Sequence, residues 1–471
     1  MDEIYEIQNS HWNKKKYDFP LKRDIFSIIE KNLFVSKLIL SIEGGRRVGK
    51  SVVMKQLINT LIEKNINPLD IFYFSFDNFD KNPLKVLKEY EKKRGRVLSD
   101  GKIFVFFDEI QYINNWQTEL KIIYDNYPNI KMVISGSTLR SSKKESLAGR
   151  IYEYHLTPLT YPEYLKFSGN ENILNNGIDN AHLSEYNIYL YKQYPELAIN
   201  KYEDAKAYVT TLIRKVILED SEKFIKNINK DLLLSLFGII LRDPGQIMDY
   251  SNLGNDFGVD RRTISEYMDF LLNSGLIRKL YNYSNNARKT EIKAKKFYPF
   301  CTTLIKYIID NPDMSKVIET DIGFQLDAHY FWNSKTREEI DFIVFDQVTN
   351  KKQGVEVKYR HLLSFDDTKT LISKSASKLK LTEKFLIIKD NAITDFYATE
   401  VSIIKYYLLW KYIKNGIIEF IGDQSYEPEL KKDFVSRLSD VKKKYKIDYN
   451  TKSISKKEFY KLFGKDIIKK K

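Results

Sequence analysis

The sequence predicts an α/β protein: a P-loop parallel-sheet core, then a helical and winged-helix-like region, then a second, smaller α/β domain. Three observations predict it. Between residues 38 and 156, five short apolar runs alternate with stretches of helical periodicity. A glycine-rich loop joins the first run to the first helix. Strand-like runs return between residues 328 and 388, after a long helical interval. Strands separated by helices need crossover connections, which build parallel sheets covered on both faces. At 471 residues the chain has room for about three domains.

Residues 1–24 form a polar arm with the basic run Lys14-Lys15-Lys16. Leu38 to Ile42 reads as the first strand. Ser51 to Leu61 reads as a helix, because Val52, Val53, Gln56, Leu57 and Thr60 recur at helical spacing. Ile71 to Phe76, Ile103 to Phe107, Ile130 to Ser135 and Ile151 to Leu156 read as four more strands. Tyr161 to Leu241 is helical in pattern. The division expected is an arm at 1–24, a nucleotide-binding core at 25–160, a helical lid or linker at 161–240, a winged-helix-like segment at 241–300, an α/β domain at 301–410 and a basic tail at 411–471.

Gly44-Gly45-Arg46-Arg47-Val48-Gly49-Lys50-Ser51 matches G-x-x-x-x-G-K-[ST]. Backbone N–H groups can wrap phosphates only where side chains do not intrude, and the glycines permit that path. Lys50 would reach the β- and γ-phosphates of ATP, and Ser51 would hold Mg²⁺. The strand Ile103 to Phe107 ends in Asp108-Glu109. An acid at a buried strand's C-terminal end reaches the metal through water, so Asp108 is the expected Mg²⁺ carboxylate. Glu109 is the expected general base. Ser137, at the end of the next strand, could sense the γ-phosphate. Arg150 could stabilise transition-state charge, in its own subunit or in a neighbour's. A plain turn at Ser137 and a surface role for Arg150 are the alternatives.

These strings, E-G-G-R-R-V-G-K-S, F-F-D-E-I-Q-Y-I-N-N-W, S-G-S-T, S-L-A-G-R and H-L-T-P-L-T-Y-P-E-Y, resemble a prokaryotic family. Its members are AAA+ superfamily ATPases with appended winged-helix and restriction-nuclease-like domains. The resemblance covers about residues 25–400 and is most specific in the first 150. It implies a five-stranded AAA+ core that binds ATP and Mg²⁺ through Lys50, Ser51, Asp108 and Glu109. Two stretches depart from the family pattern: Lys192-Gln193-Tyr194-Pro195-Glu196 and Phe297-Tyr298-Pro299-Phe300-Cys301.

Ser251 to Leu280 reads as helix, glycine turn, helix, with Gly258-Val259 as the turn and Asp260 as an N-cap. Ile264, Tyr267, Met268, Leu271 and Leu272 mark its buried face. Arg261, Arg262, Ser265, Glu266 and Asp269 face outward, a mixed-sign surface poorly suited to DNA. The segment 278–296 suits phosphates better, with seven Lys/Arg against one Glu. Further on, Asp341 and Glu356-Val357-Lys358, with Glu319 upstream on a helix, resemble the PD-(D/E)xK nuclease arrangement. In Glu356-Val357-Lys358 the strand period puts both charges on one face and Val357 toward the core. Glu319, Asp341 and Glu356 are candidate Mg²⁺ ligands, and Lys358 would position the attacking water. Glu339 and Asp327 are possible accessory acids. A solvated hairpin carrying ordinary charges is the plain alternative.

The formal charge is +14, split as +6 over residues 1–160, −2 over 161–430 and +10 over 431–471. Most of the excess therefore sits in the tail, a candidate arm for nucleic acid or a solvated appendage. The single cysteine, Cys301, excludes an intrachain disulfide and fits a reducing, cytoplasmic setting. The longest apolar run, Leu232 to Leu241, is too short to cross a bilayer, so no membrane partner is expected. Three functions fit: an ATPase acting on nucleic acid with a Mg²⁺-dependent nuclease, a nucleotide-driven switch with an inactive nuclease-like platform, or a signalling ATPase. An oligomer fits each of them.

Overall fold

The computed structural model describes residues 2–77, 79, 81–137, 147–200, 204–334, 336, 338–346, 349–360, 367–389, 401–414 and 416–419. The expected basic tail lies outside the described residues from 420 onward. The chain parts into two compact units, one of Met1–Lys279 with Phe297–Pro312, the other of Leu280–Lys296 with Asp313–Lys471.

The first unit is built on a five-stranded sheet: β1 (Ile39–Glu43), β2 (Ile71–Ser75), β3 (Ile103–Asp108), β4 (Ile130–Gly136) and β5 (Ile151–His155). The order is β2-β3-β4-β1-β5, and every pairing is parallel. β1, β3 and β4 are buried along their whole length, which is why their sequences are continuous apolar runs. One face packs Phe72, Phe74, Phe76, Tyr90, Phe107 and Trp116 into a single core cluster.

The N-terminal arm covers the open edge of β2. The Asn9 side chain accepts from Tyr73 N at 2.7 Å and donates to Tyr73 O at 2.9 Å. Gln8 Oε1 accepts from Ser75 N at 2.8 Å, and Trp12 Nε1 donates to Ile71 O at 2.9 Å. Side chains thus satisfy the backbone groups that a further strand would have used.

Helices follow from Tyr161 to Arg242. The next elements are β6 (Gln246–Met248), the helix Tyr250–Phe257, a turn through Gly258, the helix Arg261–Asn273 and β7 (Ile277–Asn282). Asp260 caps the second helix through Thr263 N at 2.9 Å, as its sequence suggests. The first departing stretch meets the residues that directly follow the second. Gln193 is fully buried, and its Oε1 accepts from Thr302 N at 2.7 Å and Thr303 N at 3.3 Å, at the start of the helix Thr302–Ile308.

After β8 (Lys295–Pro299), the second unit carries the helix Met314–Gln325 and strands β9 (Tyr330–Asn333), β10 (Glu339–Asp346), β11 (Lys351–Lys358), β12 (Glu383–Ile388) and β13 (Ser402–Lys405). β10 runs antiparallel to β9 and β11, while β11, β12 and β13 are parallel to one another. No helix among the described residues is long and apolar enough to cross a membrane.

Candidate nucleotide site and acid cluster

The C-terminal ends of parallel strands are where backbone N–H groups and helix N-termini converge on a ligand. Here β1 delivers Glu43 to the loop Gly44–Gly49, and the helix Lys50–Glu63 starts at its end. Gly44 must be glycine: a Cβ there would lie 2.1 Å from the carbonyl oxygen of Leu156. Gly49 takes φ +99 and Arg47 φ +66, the left-handed turns that fold the loop back on itself. Val48 is buried and anchors the loop, while Ser51, at the helix start, is half-buried.

The Lys50 ammonium is buried in the loop. It donates to Gly44 O at 3.1 Å and Gly45 O at 3.0 Å, and lies 3.5 Å from Glu109 Oε1. This cation at the centre of a glycine loop fits a bound polyphosphate. Asp108 ends β3 and is 2% exposed. Tyr73 Oη donates to its Oδ2 at 2.5 Å, and the Ser135 hydroxyl donates to its Oδ1. Both oxygens are thereby aimed, and their remaining lone pairs fit a water-mediated Mg²⁺ contact.

Glu109 takes φ +54, which turns its side chain back toward Lys50. Burial opposes its ionisation. Lys50, the Gln111 amide and Arg46 outweigh burial and hold its pKa below the usual carboxylate range. It is therefore ionised at neutral pH, as a base must be. Gln111 Nε2 donates to Glu109 Oε2 at 2.5 Å and to Ser137 Oγ at 3.2 Å. Ser137 thus reaches the base through Gln111.

The sequence reasoning did not single out Tyr73, Gln111 or Ser135. Gln111 and Ser135 lie within two residues of motif positions, the only local signal they carry. Tyr73 is one of many aromatics in strands.

Arg46 and Arg47, expected as loop residues around phosphate, point to the helical region instead. The Arg46 guanidinium pairs with buried Asp220, with one contact at 2.8 Å, and donates to Tyr112 Oη. Burial works against its charge, but Asp220, Tyr112 and Glu109 outweigh burial and raise its pKa. Arg47 pairs with Glu196 at 3.0 Å. Arg150 stands before the start of β5, at the end of the sheet away from the loop, and its carbonyl accepts from Ile39 N at 2.8 Å. Its guanidinium pairs with Asp125 at 3.0 Å. Within one chain, then, Arg150 does not meet the phosphate loop.

The outward face of the helix Arg261–Asn273 is also occupied differently from expectation. Arg262, Ser265, Glu266 and Asp269 line a cleft of about 740 Å³, together with Gln111, Asn114, Asn115 and Trp116 from the segment after β3. The face read as solvent-directed looks onto the nucleotide side of its own unit.

In the second unit the expected acids do assemble. The β10–β11 register pairs Phe342 with Val355, which sets Asp341 and Glu356 opposite one another. Asp341 Oδ2 accepts from Val357 N at 2.9 Å, and Lys358 Nζ pairs with Glu356 Oε1. Val357, expected in the core, is only half-buried, whereas Glu356 is buried. Burial pushes Asp341 up to about 6, with Glu319 adding to it and Lys296 and Lys358 opposing. Burial and then Asp341 push Glu356 up to about 8, against Lys358. Asp327 lies outside this group, on an exposed turn beside His329.

The cluster's centre holds a lysine from the basic segment 278–296. Lys296 is 2% exposed. Its ammonium lies 2.5 Å from Glu339, 3.5 Å from Glu319 and 3.8 Å from Asp341. A divalent ion requires these oxygens at about 2.0–2.6 Å and cannot share the space with that ammonium. The acid set does not fit a resident Mg²⁺.

Residues 36–165 match the family of the AAA domain. Residues 185–314 and 320–409 match two domains of unknown function, DUF8612 and DUF4143. An uncharacterized protein of Methanocaldococcus jannaschii is 28% identical over 349 residues, covering 66% of this chain and 72% of the relative. An uncharacterized protein of Haemophilus influenzae is 25% identical over 280 residues, covering 57% and 66%. Among solved structures, the Walker-type ATPase PABY2304 of Pyrococcus abyssi is 15% identical, with a TM-score of 0.41 over 62% of this chain and 97% of that one. The chain carries a P-loop α/β core, over which the AAA-domain match extends, followed by a further α/β region.

Proposed function

We propose that the chain binds ATP with Mg²⁺ in its first unit, hydrolyses it, and acts on or is regulated by nucleic acid, with the second unit as a binding platform. The observation that carries the ATPase reading is the convergence of Lys50, Asp108 and Glu109 at the ends of β1 and β3. Lys50 and the loop amides would bind the phosphates, and Ser51 and Asp108 would hold the metal. Bound there, Mg²⁺ would neutralise charge on the β- and γ-phosphate oxygens. Glu109 would take the proton of the attacking water, with Gln111 orienting its carboxylate. Arg150 would act only from a neighbouring copy in an oligomer.

The experiment is phosphate release with ATP and Mg²⁺. Lys50→Ala should lose nucleotide binding. Glu109→Gln should keep binding and lose roughly 10²–10⁴-fold in rate. Equal rates in wild type and Glu109→Gln would sink the ATPase reading.

The nucleic-acid part rests on the basic residues of 278–296 that stay at the surface, including exposed Arg288 and Lys289, and on the tail's charge. Affinity measured against salt tests it, and a flat slope would exclude phosphate contacts. A Mg²⁺-dependent nuclease would need its metal beside Asp341, where the Lys296 ammonium stands, so the platform reading is preferred for the second unit. Plasmid, single-stranded DNA and RNA incubated with Mg²⁺ or Mn²⁺ test this: cleavage abolished by Asp341→Ala and Lys358→Ala would overturn the platform reading.

A further inference from the structure

We infer that Lys296 is the resident cation of the second unit's acid cluster, filling the position a divalent metal would need, so that this nuclease-like pocket is closed to metal by its own sequence. The inference deepens the platform reading of the second unit and is independent of ATP chemistry in the first.

Four carboxyl groups converge in this pocket: Glu319 from the helix Met314–Gln325, Glu339 and Asp341 from β10, and Glu356 from β11. Carboxylates gathered away from water repel one another unless a cation stands between them. In metal-dependent sites that cation is the ion. Here it is the Lys296 ammonium, in contact with Glu339 and within 3.8 Å of Glu319 and Asp341. The Phe331 ring, with its centroid 5.4 Å from Nζ, offers a further electron-rich face.

Lys296 leaves β8 with its side chain buried to the tip, so it is not a surface lysine that has folded over a vacant site. Lys358 neutralises Glu356, and Lys316 lies 3.6 Å from Glu319 at the rim. A dication entering the same centre would meet Lys296 at a few ångströms in a poorly screened pocket, where like charges repel strongly. Metal entry therefore requires expelling a paired, buried lysine.

The experiment titrates Mn²⁺ into the nucleotide-free, full-length protein and counts bound ion by the loss of its free electron-spin-resonance signal. Wild type and Asp341→Asn should bind equally, so no Asp341-dependent site exists. Lys296→Met should gain one site at least tenfold tighter than any in wild type, and Lys296→Met/Asp341→Asn should lose it. Lys296→Gln keeps the stem and a polar end, and replaces Lys296→Met if that variant does not fold. Mn²⁺ binding by wild type that Asp341→Asn removes would overturn the inference. So would folded Lys296 variants that gain no site, since the acids would then not form a metal position at all. Neither outcome bears on the ATPase reading, which stands or falls with Lys50→Ala and Glu109→Gln.

Discussion

Arg46 stands between the two flanking positions of the P-loop pattern, a place that leaves side-chain identity free. The structure gives this arginine a defined task. It ties the phosphate loop to Asp220, at the end of a widened helical turn over Lys215–Asp220, and to Tyr112, three residues beyond Glu109. Asp220→Ala leaves the guanidinium buried without its carboxylate, which costs about 3 kcal/mol. Chemical denaturation should register that loss, and ATP turnover should fall with it, because Arg46 is then no longer tied to the helical region and the phosphate loop loses that anchor. Wild-type stability in Asp220→Ala would show that the pair contributes nothing net. The motif residues Lys50, Ser51, Asp108 and Glu109 were legible because phosphate chemistry restricts residue type at each position. Lys296 was not: its neighbours Lys293 and Lys295 are partly exposed, and only the burial of its strand separates it from them.

The strands of the core were legible as elements because burial on both faces leaves an unbroken apolar run. Their order was not, since β1 lies between β4 and β5 and sequence neighbours need not pair. The turn after the helix Arg261–Asn273 shows the same division. Gly275 takes φ +72, and a Cβ there would lie 2.9 Å from the Cα of Gly45. A helix-ending glycine is a local signal; its contact with the phosphate loop is not. Gly275→Ala should therefore weaken nucleotide binding as well as stability. Gly258→Ala is the matched control, with φ +66 and open space around the added carbon, and should cost about 1 kcal/mol with binding unchanged. Nucleotide titrations of the two variants separate backbone strain from the loop contact. In the second unit, a Cβ on Gly323 would meet the Phe342 ring at 2.8 Å, so Gly323→Val should lower stability by about 2 kcal/mol through overpacking.

At the scale of the whole molecule, the N-terminal arm links stability to pH. His11 is fully buried against Ile71 O, and burial lowers its pKa from 6.5 to about 4 despite that hydrogen bond. The folded pKa is depressed, so the unfolded chain binds the proton first as pH falls. Stability is then lost as pH falls from about 6.5 toward 4, by up to about 3 kcal/mol. Thermal midpoints across that range should fall in wild type and change less in His11→Asn. The opposite slope would mean that His11 is charged in the fold. The charge excess is a separate matter of composition: +10 of the +14 lies in residues 431–471. Deleting them should reduce the salt dependence of nucleic-acid binding if the tail grips phosphates, and an unchanged slope would remove it from that role.

By itself the sequence determined the P-loop, the acid pair at the end of β3, the parallel α/β character of the core and the acids that gather in the second unit. Each follows from local rules: residue types that phosphate chemistry demands at fixed spacing, and the apolar runs that two-sided burial demands. Only the tertiary structure decided where the charges went. It turned Arg46 toward Asp220, set Arg150 at the far end of the sheet from the phosphate loop, and buried Lys296 among the acids expected to hold a metal. A charged side chain's role depends on which oppositely charged groups long-range packing brings within a few ångströms, and in a poorly screened interior those few ångströms decide the interaction.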